Sequence, residues 1–251
     1  MDSKRTNRTG GAQGRQQRLT PRTKSTLAEI GPGTISAVAP TKRDPERVSV
    51  SIDGKFAFAL PAIVVVQRGL TRGIVLDEAA VHELVELAES EKAVEAALTF
   101  VAYRPRSERE VRDRLRRREF RPDAIDYAIE KMRGWNYLDD RAFAEFWVEN
   151  RTEHSPRGRR ALQSELQAKG IDRAVVGDVL EATDLHEADS ALELARKRLR
   201  SLSNLDEATQ KRRLGAFLGR RGYGWDVIKP VFAELFSGSD DVDEDDDEPS
   251  L

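Results

Sequence analysis

One apolar pattern, returning twice along the chain, limits the possible folds more than any other feature. Val111 and Leu115 stand four apart and are followed by Phe120, Ile125 and Ile129. After a shift of 51 residues Leu162, Leu166, Ile171, Val176 and Leu180 hold the same places; after 52 more, Leu214, Leu218, Tyr223, Ile228 and Phe232 do. Fifteen apolar residues in register with no gap inside the unit indicate a triplicated module. Spacings of three and four are those of an inward helical stripe, so each copy reads as two helices joined by a short turn.

Local signals agree. Ser107-Glu108-Arg109-Glu110 has the form of a capping box, in which the Ser107 hydroxyl takes the Glu110 amide and the Glu110 carboxylate reaches back. Ile125, Ala128, Ile129 and Met132 form the inner face of the second helix. Gly170 and Gly222 begin the turns of the second and third copies, where a left-handed residue lets Ile171 or Tyr223 fold back. Pro156 is expected at the first position of a helix capped by Ser155. Further helices over 94–103, 139–150 and 186–200 complete three three-helix repeats, at 92–138, 139–184 and 185–236.

Residues 33–91 read differently. Segments 34–39, 47–52 and 55–60 partly alternate in polarity, and Asp53-Gly54 joins the last two at the spacing of a type I′ hairpin. Asp77 can cap a helix facing inward through Val81, Leu84, Val85 and Ala88. The expected fold is therefore mainly α: tandem three-helix, helix-turn-helix-like repeats with a small N-terminal β-rich unit.

Charge divides the chain. Residues 1–25 hold seven bases against Asp2, while 237–251 hold eight acids and no base. Removing both from the net of −2 leaves the remainder neutral. Neither end has an apolar period, so segments 1–32 and 237–251 are expected to be disordered tails. Residues 104–121 contain nine arginines against four acids. Basic residues return on the matching helix of each copy: Arg109, Arg112, Arg116 and Arg117, then Arg157, Arg159 and Arg160, then Lys211, Arg212, Arg220 and Arg221. These eleven are the candidate partner-binding residues, with Arg109, Arg112, Arg116 and Arg117 expected to face solvent. A repeating guanidinium array suits a repeating anionic partner, either carboxylates along a protein filament or a nucleic-acid backbone. Ion pairs such as Glu108–Arg112 offer a plainer use for such a face.

Catalytic chemistry is not expected. There is no cysteine, so disulfides, thiolate catalysis and Cys-type zinc sites are excluded. His82, His154 and His186 have no metal-ligand spacing, and no phosphate-binding glycine loop is present. Asp139 and Asp140 are a carboxylate pair, but they open an apolar helix and capping accounts for them. No cofactor or metal is expected. With no long apolar run and no signal core, the reading is a soluble cytoplasmic protein, not an enzyme.

The segment Tyr103-Arg104-Pro105-Arg106-Ser107-Glu108-Arg109-Glu110-Val111 resembles the opening motif of RecX proteins. Trp135-Asn136-Tyr137-Leu138-Asp139-Asp140-Arg141-Ala142-Phe143-Ala144 is similar to that family's second signature, and Arg151, Gly158, Glu165-Leu166 and Lys169-Gly170-Ile171 follow at its spacing. Leu214–Ile228 also matches; the resemblance covers about 34–236 and leaves out both tails. It departs at Glu119, where the family usually has Gly and where an altered turn is expected, and at Trp135-Asn136, where Gly commonly precedes the Tyr. The resemblance implies that the repeats form an elongated curved body, a monomeric regulator that lies in the helical groove of a RecA recombinase filament. There it restrains recombinase, ATPase and co-protease activities in DNA repair, recombination and the SOS response. A DNA-binding helix-turn-helix module, or weak contact with DNA beside the filament, is the alternative.

Overall fold

The computed structural model describes residues 30–42 and 44–237. Most of the basic segment 1–32 and all but Ser237 of the acidic one lie outside them. The described residues fall into two units, divided between Ala88 and Glu89.

The first unit is a four-stranded antiparallel sheet with helical cover. Its strands β1 (Gly33–Pro40), β2 (Arg47–Ile52) and β3 (Lys55–Pro61) are those expected. Asp53 and Gly54 both take positive φ, as the type I′ turn requires. A helix, α1 (Ala62–Gln67), follows, and a short strand, β4 (Val75–Leu76), gives the order β3-β2-β1-β4. Ile35, Val50, Phe58 and Leu60 fill the core with Val81, Leu84, Val85 and Ala88 of α2 (Glu78–Val101). Asp77 accepts the Ala80 amide at 2.8 Å, the expected cap. Two separate helices were expected before residue 103; instead α2 is continuous. Residues 89–93 contain no Gly or Pro to break it.

The second unit holds the tandem repeats. Each has a leading, a middle and a last helix. The first uses the end of α2 with α3 (Glu108–Arg117) and α4 (Pro122–Gly134); the second has α5 (Asp140–His154), α6 (Arg159–Ala168) and α7 (Arg173–Ala182). The third has α8 (Glu187–Arg200), α9 (Glu207–Arg220) and α10 (Trp225–Phe236). Thirteen of the fifteen register residues are buried, and Phe120 and Phe232 are partly so. Each repeat has its own small core, which suits a chain 34% charged.

All three middle helices end in the same Schellman turn. Phe120, Ile171 and Tyr223 return their amides to the carbonyls of Leu115, Leu166 and Leu218, and the preceding residue bonds one position later. That preceding residue has φ of 86° at Gly170, 89° at Gly222 and 62° at Glu119. The turn at Glu119 is therefore not altered, contrary to expectation: a non-glycine residue takes up the left-handed backbone. Asn136, at the other departure, does the same with φ 58°.

The repeats join through one recurring contact, in which a middle helix seats its N-terminus on the next repeat's Schellman turn. At the first junction the Ser107 hydroxyl donates to the Lys169 carbonyl at 2.7 Å. At the second the Gly158 amide donates to the Arg221 carbonyl at 2.9 Å. Ser107 and Gly158 are equivalent under the 51-residue shift, and Lys169 and Arg221 under the 52-residue one. A hydroxyl therefore fills the place that a backbone amide fills later. A Cβ on Gly158 would stand 2.4 Å from the Gly222 carbonyl oxygen, and one on Gly222 would stand 2.3 Å from the Ala161 nitrogen. The next leading helix supplies a second bond each time. Asp140 accepts the Glu108 amide at 3.1 Å, and Glu187 accepts the Arg159 amide at 2.7 Å. Both satisfy an amide that a helix start leaves without an internal partner.

Asp139 caps α5 as expected, accepting from Arg141 and Ala142, while Asp140 caps the preceding repeat. Burial holds the Asp140 carboxyl above its ordinary range. The expected Ser155-Pro156 helix start is not formed: Ser155 closes α5, and Gly158 precedes α6 because its backbone must meet the following turn. At the first junction the Glu110 carboxylate accepts from Lys169 at 2.6 Å and Arg104 at 3.1 Å. Burial pushes that carboxyl up, but these cations outweigh it and hold it low.

Three outcomes follow. Glu119→Gly relieves a left-handed side chain and raises stability by about 1 kcal/mol in denaturant melts. Gly158→Ala forces two backbones apart and costs about 2 kcal/mol or more in the same assay. For Glu110→Gln, the depressed carboxyl pKa puts the stabilisation above the unfolded value. In denaturant melts the loss relative to the parent is greatest above the ordinary carboxyl range and disappears as pH falls from there through the depressed folded value.

Candidate interaction surface

The capping box of α3 is present, with the Ser107 hydroxyl taking the Glu110 amide and Glu110 taking that of Ser107. It fixes the helix start, so burial of Val111 and Leu115 decides where each arginine points. The Arg109 side chain is 59% exposed and that of Arg116 62% exposed, both beside Asp113. Arg117 is exposed as well. Arg112 departs from the expected outward position. It is only 24% exposed and is held between Glu108 and Asp126, which bond it strongly enough to outweigh its desolvation.

On α6 and just before it, Arg159 and Arg160 are exposed while Arg157 is half-buried near Glu165, with no hydrogen bond to its Nε. On α9, Arg212 and Arg220 are exposed. Lys211 pairs with Glu207 and lies 5.0 Å from the Phe236 ring centre. Arg221 closes the second junction: it reaches the Pro156 carbonyl and stands over Phe217 at 4.9 Å. The eleven candidates thus divide by position. Arg109, Arg116, Arg117, Arg159, Arg160, Arg212 and Arg220 face outward; Arg112, Arg157 and Arg221 are engaged within the fold, with Lys211 between the two groups.

Strict repetition is narrower than composition implies. Under the repeat shifts Arg109, Arg160 and Arg212 are equivalent and all exposed, so one guanidinium returns at the same place in every copy. Arg118, Lys169 and Arg221 are equivalent as well, each being the residue that closes its middle helix. A cation there also meets the negative end of the helix dipole. Lys169 and Arg221 are drawn into junctions, whereas Arg118 is exposed. Charge is also divided within each helix pair. The middle helices carry net +2, +1 and +3, and the last helices −1 each.

A groove of about 390 Å³ went unforeseen. It is lined by Tyr103, Arg104, Arg106, Tyr137, Phe143 and Phe146, among others. Tyr103 and Tyr137 of this lining expose large aromatic surface, and the exposed Trp135 stands edge-on to Tyr137. The signal was in the sequence, in the aromatic run Trp135-Asn136-Tyr137, but a helical period says nothing of a residue in a turn. Lys169 was also overlooked. With Arg151 it lies over the Trp147 ring, at 4.7 and 4.3 Å. Among the described residues no cluster of His, Cys, Asp and Glu could hold a metal ion, and no helix is long and apolar enough to cross a membrane.

Comparison with known proteins places this architecture. Models of the first, second and third three-helix domains of RecX match residues 93–132, 139–180 and 186–232. The regulatory protein RecX of Bacillus licheniformis is 31% identical over 208 residues, covering 82% of this chain and 79% of that protein. The one from Bacillus velezensis is 32% identical over 208 residues, with the same coverage of each. A crystal structure of regulatory protein RecX superposes with a TM-score of 0.68 at 26% identity, covering 79% of this chain and 98% of that one. RecX from Lactobacillus salivarius gives a TM-score of 0.53 at 26% identity, over 59% and 96%. Modules of the right kind, number and order, together with relatives of this identity, establish that the chain belongs to the RecX family of regulatory proteins.

Proposed function

We propose that this chain binds a RecA recombinase filament, in its helical groove, and restrains recombination, ATP turnover and co-protease function. The observation that carries the reading is the single exposed arginine returning in each repeat, at Arg109, Arg160 and Arg212. A filament offers the same carboxylates once per subunit, and a tandem array can engage several at once. Contacts too weak to hold alone then add through effective concentration. Arg116, Arg117, Arg159 and Arg220 widen the surface, while Arg112, Arg157 and Arg221 act by holding the fold together.

Charge placement favours a protein partner over direct readout of DNA. A DNA-binding helix-turn-helix inserts its second helix into the major groove against phosphates on both sides. Here the second helix of every pair is net negative and the first is positive. A regulator of this kind needs no reaction of its own and acts as a monomer in the cytoplasm, where the recombinase works.

Replacing Arg109, Arg160 and Arg212 together by Gln lowers co-sedimentation with RecA filaments at least tenfold and abolishes the inhibition of their ATPase, with an unchanged melting temperature. Arg112→Gln does the reverse, lowering stability by about 2 kcal/mol through two lost charge-assisted bonds with little loss of filament affinity per folded molecule. Unaltered filament binding by the triple variant, or tighter and more salt-sensitive binding to free DNA than to filaments, overturns the proposal.

A further inference from the structure

The first and third repeats neutralise their cations differently. In the first, Arg104, Arg109, Arg112, Arg116, Lys131 and Arg133 each stand within 4.0 Å of a carboxylate. In the third, the acids Glu187, Asp189 and Glu193 stand in the first half of α8, and the rest, residues 196–237, contains ten bases and four acids, a net of +6. Those four acids are already engaged. Asp206 caps α9, Glu207 holds Lys211 and Glu234 holds Arg196. Asp226 opens α10, where the helix dipole favours it. Lys197 and Arg200 of α8, with Arg212, Arg213 and Arg220 of α9, are exposed and have no ion pair among the described residues.

The chain that leaves this repeat is the acidic one. Residues 240–248 carry eight acids in nine positions. Their point of departure is fixed: Phe236, the last residue of α10, lies under Lys211, one position before Arg212. We propose that residues 240–248 dock on the exposed cations of α8 and α9 of the same molecule, centred on Arg212, Arg213 and Arg220. The segment supplies counter-charge to these exposed cations and occupies that end of the basic face until a stronger anionic partner displaces it. This interaction is independent of the identity of that partner. Extended chain spans roughly 3.3–3.6 Å per residue, so fourteen residues reach about 45–50 Å. Connectivity therefore permits contact with these helices without dictating it. A short covalent tether also gives a high effective concentration, enough for several weak, solvent-exposed ion pairs to act together.

The absence of cysteine makes the test direct. Ser250→Cys carries a single nitroxide beyond the acidic run, and paramagnetic broadening is read on backbone amides of the full chain. At about 0.01 M salt, where the Debye length is roughly 30 Å, amides of α9 and of the second half of α8 lose at least half their intensity. They recover at about 1 M salt, where it is roughly 3 Å, and also recover when Arg212, Arg213 and Arg220 are all replaced by Gln. Three results overturn the proposal: no broadening on α8 and α9; broadening on α3 as strong as that on α9; or broadening equally strong in unlabelled isotope-enriched protein mixed with labelled protein, which makes the contact intermolecular.

Discussion

A helix start seated on the next repeat's turn is the contact on which the rest of the tandem unit depends. The first amides of a helix have no partner inside it, and the end of the next repeat's middle helix leaves a carbonyl outward. Each junction pairs these two deficits. The Lys169 and Arg221 carbonyls receive one donor each, and Asp140 and Glu187 take the first amide of the helix that lies against them. The repeats are thereby oriented by directional bonds rather than by apolar area alone. This matters because each core is small, and in a chain 34% charged apolar burial alone gives little guidance to register.

The same contact determines which arginines are available. Arg118, Lys169 and Arg221 occupy one structural position, yet only Arg118, with no preceding repeat to receive, is left exposed. Arg109 and Arg160 are the second residues of α3 and α6 and lie beside the turns that those helices meet, near Gly170 and Gly224, while staying exposed; Arg212 lies deeper in α9, whose start meets no further repeat. One guanidinium per module therefore recurs at the spacing of the modules, whether or not a junction lies beside it.

Much of this was legible beforehand because it depends on period. The fifteen register residues, the Ser107 capping box, the Asp77 and Asp139 caps and the glycine turns are all local or periodic, and the structure has each of them. What was not legible depends on residues distant in sequence. Nothing near Arg112 reveals Asp126 as its second partner, and nothing near Gly158 reveals Gly222, so Arg112 was placed outward and Pro156 was assigned to a helix. The single helix through 78–101 was read as two because a change of core, from sheet to repeat, looks in sequence like a change of element. Glu119 departs in the opposite sense: a residue ill suited to positive φ suggests an altered turn, yet the surrounding hydrogen bonds hold the turn regardless. For the candidate site, the recurrence of charge was visible, but its division into outward and engaged residues was not.

The junction is also polar. A middle helix gives its start and a turn receives it, so the first repeat only gives, the third only receives, and the second does both. The order of the modules is therefore written into the contacts, and exchanging two of them would leave a glycine where a hydroxyl is needed or a Cβ where backbones must touch. It also grades local stability along the unit. The outer repeats can each open by breaking one seam, whereas the middle one must break two, so fluctuations begin at the ends and the centre is the last part to lose its structure.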